Sequence, residues 1–171
     1  MKKSPSILGT SVLISLILIV WNLVGNFAHL EFANWFKYAS AALFIGLLIY
    51  FCVQFGKTHT EGVTFGKVFG YGFKLTMLVT LITVVFSILS VTLIFPEIKE
   101  QVIAQTRTTM EADPKYSADQ VDQAVAFTRK GFMMFLVIGG IIFSLLTGVV
   151  GSLIGAALAK KSEPNVFQEK V

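Results

Sequence analysis

The chain has 171 residues, 54% of them hydrophobic, a formal net charge of +4 and one cysteine. The length gives one domain, and apolar residues gathered into four blocks of membrane-spanning length, not alternating with polar ones, exclude a soluble globular fold. The bases form no patch with interleaved aromatics, which excludes a nucleic-acid surface, and a single thiol excludes an intrachain disulfide or a thiolate-rich metal site.

Span one is predicted over about residues 7–27. Lys2 and Lys3 before an apolar run also describe a secretory signal, but the run from Ile7 to Val24 outlasts the roughly 7–15 residues of a signal core. Asn26-Phe27-Ala28 is a poor cleavage site, so an uncleaved span is expected. Asn22 and Asn26 beside Trp21 read as an interfacial pair with an aromatic anchor; an inter-helix hydrogen bond or polar lining is the second reading. His29 and His59 fall in loops on opposite sides of the bilayer. They read as solvated residues and not as a shared metal site.

Span two is predicted over about residues 35–55. Lys37 snorkels to the interface, Ala42 and Gly46 give a modest small-residue face, and Cys52 reads as a small buried hydrophobe. In the following GKTHTEGVTFGKVFGYGFK, Gly62, Gly66 and Gly70 recur every fourth residue, as do Phe65, Phe69 and Phe73. On a helix that makes a glycine face beside an aromatic ridge. Thr58, Thr60 or Thr64 caps its start, the three choices remaining open. Gly62-x-x-x-Gly66-Lys67-Val68 lacks the spacing and the preceding strand of a phosphate loop. The expectation is an interfacial helical lead-in to span three, with Lys57, Lys67 and Lys74 at the headgroups.

Span three is predicted over about residues 69–95, with Pro96 as boundary or kink. Its threonines, Thr76, Thr80 and Thr83, can bond back to helix carbonyls and so need not line a pore. Residues 96–130 are polar and charge-mixed. Ile98, Val102 and Met110, then Val121, Ala124, Val125 and Thr128, trace two helical faces separated by Asp113-Pro114. Ser117 and Gln120 make a capping box opening the second helix, which runs into span four. The acids match no calcium loop and read as a solvated surface.

Span four, about residues 132–158, holds no charge. Gly140, Ser144, Gly148, Ser152 and Ala156 recur every fourth position, with Gly151 and Gly155 beside them. Such a groove lets another helix backbone approach closely. Lys160 and Lys161 stop the span, and residues 162–171 read as a flexible tail. The fold expected is therefore an all-α integral membrane four-helix bundle, one domain over residues 1–171, with a small amphipathic helical segment between spans three and four. Lysines near the span ends favour both termini in the cytoplasm.

Four spans, TEGVTFGKVFGYGF after span two, Asp113-Pro114 between spans three and four and SLIGAALAKK near the end together resemble a family of small bacterial membrane proteins, domain of unknown function family 4199. The resemblance covers nearly the whole chain. It implies a four-helix protein of the inner membrane of a Gram-negative bacterium, and it carries no activity, cofactor or catalytic residue.

No Asp, Glu, Arg or His falls in the centre of a span, where an ionisable group would mark an ion or proton path. No nucleophile–base or metal constellation is visible. A non-enzymatic protein without cofactor or metal is expected, acting as scaffold, accessory subunit or oligomer through helix association. Its partners would be the lipid bilayer and a second copy or another membrane protein. The helix-packing candidates are Gly62, Gly66 and Gly70, then Gly140, Ser144, Gly148, Gly151, Ser152, Gly155 and Ala156. A small transporter or channel for a neutral solute is the alternative.

Overall fold

The computed structural model describes residues 6–28, 30, 33–59 and 63–160, which form five α-helices: α1 (Ile7–Phe27), α2 (Asn34–Thr58), α3 (Phe65–Leu89), α4 (Ile98–Glu111) and α5 (Ala118–Lys160). α1, α2, α3 with the turn that follows it, and α5 are long and apolar enough to cross a membrane.

The helix ends follow from local chemistry. Ser6 opens α1, its Oγ accepting from Gly9 N at 3.1 Å. Thr64 opens α3: its carbonyl accepts from Lys67 N at 3.0 Å and Val68 N at 3.2 Å, which settles the choice among the three threonines. α3 begins at Phe65, so the lead-in from Phe65 to Lys74 and span three are one helix, while Gly56 to Thr58 belong to α2. The Phe65, Phe69 and Phe73 rings stack along it at 6.4 and 6.1 Å, offsetting the poor helix propensity of Gly66 and Gly70. α3 ends in a π-helical turn, Ser90–Ile94, where Phe95 N donates to Ser90 O at 2.8 Å. Pro96 has no N–H with which to carry the helix further. The capping box at α5 is reciprocal: Ser117 N donates to Gln120 Oε1 at 2.9 Å, and Gln120 N to Ser117 Oγ at 3.4 Å. α5 then continues for 43 residues, about 65 Å at 1.5 Å per residue, because nothing between Ala118 and Lys160 breaks it.

The chain divides into two compact units, residues 1–83 with 143–171, and residues 84–142. In the first, α1 runs antiparallel to α2. Trp21 stacks on Phe36 at 5.1 Å and donates from Nε1 to Ser40 Oγ at 2.8 Å, while Gly25 lies under the Phe36 ring with no room for a side chain. Phe55 of α2 stacks on Tyr71 of α3 at 4.2 Å. Ile14, Leu48, Cys52, Leu75 and Ala156, all fully buried, form the middle of the core.

In the second unit, α4 pairs antiparallel with the first part of α5. Arg107 donates to Asp122 Oδ1 at 2.7 Å and to Glu111 Oε1 at 3.3 Å. Arg129 grips Glu100 with two bonds, at 2.9 and 3.3 Å. Asp122 and then Glu111, by bonding to it, push the Arg107 guanidinium further up into its charged range. Ile103, Val121 and Phe132 are the buried apolar residues of this unit.

Candidate functional site

Two features of the first unit bear on function: the seam along the end of α5, and a cleft where α1, α2 and α3 meet. Along the seam α5 lies on two helices at once. A methyl group placed on Gly148 would run into the Thr76 side chain of α3. One on Gly151 would come within 3.2 Å of Leu48 Cβ, and one on Gly155 within 2.6 Å of Cys52 Cβ, both on α2. Ser152 is fully buried, its Oγ turned back to Gly148 O at 2.7 Å, and Ala156 is fully buried beside it.

The other packing candidates are placed differently. Gly140 is half-buried, 3.9 Å from Val84 Cγ2 by the same measure, and Ser144 is half-buried. Gly66 is exposed and Gly70 half-buried, and a methyl group on either would meet nothing within 4 Å. Neither seats a helix of this chain among the described residues. The reason is angular: the buried face of α3 is Val68, Tyr71, Gly72, Leu75, Thr76, Val79 and Thr80, and Gly66 and Gly70 are turned off it. Gly62, Thr60, His29 and the tail 162–171 lie outside the described residues.

Three glycines at close contacts between helices were not among the sequence candidates. A methyl group on Gly72 would come within 2.7 Å of both Cys52 Sγ and Ser152 Oγ, where α2, α3 and α5 converge. One on Gly56 would lie 2.8 Å from Ala159 Cβ. Gly25 is the third, beneath Phe36. The signal for Gly72 was present as Gly72, Thr76 and Thr80, small residues four apart, which the neighbouring four-residue glycine period masked.

The cleft has a volume of about 560 Å³. Ser6 and Ile7 of α1 form one wall, and Phe55 and His59 at the end of α2 another. Gly66, Lys67, Gly70, Tyr71 and Lys74 of α3 line the rest. His59 is not the freely solvated residue expected. Because α2 extends to Thr58, His59 caps it, half-buried, with Nδ1 3.1 Å from Phe55 O and its ring 4.3 Å from that of Phe55. Asn26, by contrast, bonds back to Asn22 within α1 at 2.8 Å. The Tyr71 hydroxyl is buried on the side of Thr10. No group of three or more His, Cys, Asp or Glu able to hold a metal occurs among the described residues.

Comparison with known proteins gives one match, to a family described as a protein of unknown function, over residues 10–161. Searches of curated proteins and of solved structures each found no match.

Proposed function

The chain belongs to the DUF4199 family of proteins of unknown function, and on that premise we propose that it is a non-catalytic membrane component working through helix association, as an accessory subunit, scaffold or small oligomer. The observation that carries this reading is the outward face of α2. Trp35, Tyr38, Ala42, Gly46 and Tyr50 are all exposed at spacings of three and four and so share one side of the helix. Nothing among the described residues lies within 4 Å of a methyl group on Gly46, and Tyr38 and Tyr50 flank the small pair. Two small residues four apart let a second helix approach closely, which lipid does not require. The small residues at the end of α5 already hold α2 and α3, so a partner is assigned to α2.

Orientation completes the proposal. In the first unit, the starts of α1 and α3 share one end with the end of α2, all three lining one cleft. Lys57, Lys67 and Lys74 gather there, and bases close to span ends stay on the cytoplasmic side. That end is proposed to face the cytoplasm of a bacterium, with the helices in its inner membrane.

A photo-crosslinking residue at Tyr50, on the same face and 57% exposed, is expected in native membranes to capture a protein, while one at Leu8, 67% exposed, captures lipid alone. Gly46→Leu, added to the Tyr50 probe, should abolish the protein adduct yet leave heat resistance in detergent intact, since it touches nothing among the described residues. Capture of lipid alone at both positions would overturn the reading. One observation favours a neutral-solute path instead: Ser11 and Thr80 bury hydroxyls with no partner among the described residues. Solute flux in reconstituted vesicles, abolished by Thr80→Val, would establish that alternative.

A further inference from the structure

We propose that the cleft between α1, α2 and α3 binds the phosphate headgroup of an anionic phospholipid, an inference that does not depend on the association reading. The depth of the cleft points to this. From Leu75 to Ile94 the chain carries no charge, a length of about 30 Å in helical form and one hydrocarbon thickness. Lys74 therefore marks the boundary between acyl chains and headgroups, and the cleft opens at that boundary.

Its chemistry is that of a phosphate site with an apolar side. Lys74 lines the cleft, is exposed and enters no salt bridge among the described residues. Lys67 also lines it but already has an interaction partner, so Lys74 is the cation assigned to the ligand. Gly66 and Gly70 leave the α3 backbone bare, with nothing among the described residues within 4 Å of where a side chain would begin, so a headgroup can lie against it. Gly66 falls in the first turn of α3, where amide groups lack helical acceptors and favour an anion. The Tyr71 side chain, only 4% exposed, forms part of the lining, with its hydroxyl on the side of Thr10. Ile7 and Phe55 supply an apolar wall for the glycerol and upper acyl chain. This arrangement explains what Gly66 and Gly70 do, given that they hold no helix among the described residues.

The test uses the full chain in detergent, titrated with short-chain phosphatidylglycerol, short-chain phosphatidylcholine or inorganic phosphate while the thermal midpoint is followed. Phosphatidylglycerol should raise the midpoint and the other two should not. Lys74→Gln should weaken phosphatidylglycerol binding by roughly tenfold, the loss of one charge-assisted hydrogen bond. Gly70→Leu should fill the cleft and abolish the shift. Both variants should keep the unliganded midpoint, since neither position touches the core. Wild-type binding by either variant, or an equal response to phosphatidylcholine, overturns the proposal. A Lys74-dependent response to inorganic phosphate alone would assign the cleft to a free anion and overturn its assignment to lipid.

Discussion

Gly148 and Thr76 meet with no space for a methyl group between them, and Thr76 cannot swing aside. It is fully buried, and its hydroxyl donates to Gly72 O at 3.0 Å. A side chain forced into a packed contact costs about 1–3 kcal/mol, so Gly148→Ala should lower the thermal midpoint in detergent. Thr76→Ala, combined with it, removes the obstructing Oγ1 and Cγ2 atoms but leaves Cβ at 2.8 Å, so it should recover part of the loss, because directly contacting sites are not additive. Leu146 lies two residues away but is 66% exposed. Leu146→Ala should cost little, since lipid is as apolar as leucine. Equal losses at Gly148 and Leu146 would mean that the seam is not what holds α5 in place.

At the scale of helices, what the sequence revealed and what it hid divide along one physical line. Hydropathy marked α1 to its end residues, and the capping pair Ser117 and Gln120 marked the start of α5, because both signals are local in the chain. The partner of each helix face was not local. A period of four in Gly62, Gly66 and Gly70 looks the same whether it meets a helix, a lipid or a cleft, and only the angular position of Val68, Tyr71 and Leu75 on the same helix decides which. The same limit hid the α4–α5 pairing: six acids and five bases in residues 96–130 gave a charge-mixed surface without saying that Arg129 meets Glu100. That pairing yields a prediction of contrast. Both partners are exposed, so Glu100→Gln should cost less than about 1 kcal/mol and lose its effect at high salt. Ile103→Ala removes a buried side chain, 5% exposed, and should cost roughly 2–4 kcal/mol. Hydrogen exchange across α4 would read both, with faster exchange expected for Ile103→Ala alone.

For the molecule as a whole, the arrangement of charge across the membrane makes the strictest demand. If α2 and α3 each cross once, Lys37 and Thr109 share one side of the bilayer and Lys57 lies on the other. All three are exposed at or beyond the ends of their apolar runs. The chain's one cysteine, Cys52, is fully buried between Gly72 and Gly155, so Cys52→Ala provides a background in which an introduced thiol reports alone. In intact cells stripped of their outer barrier, a membrane-impermeant maleimide should label Lys37→Cys and Thr109→Cys at once. It should reach Lys57→Cys only after the membrane is opened, because short basic segments are retained in the cytoplasm. Labelling of all three from outside would mean that α2 and α3 do not both cross. The reverse pattern would preserve the crossings but invert the protein, placing the lysine-lined cleft in the outer leaflet. The orientation experiment thus also decides which leaflet's lipids can reach Lys74.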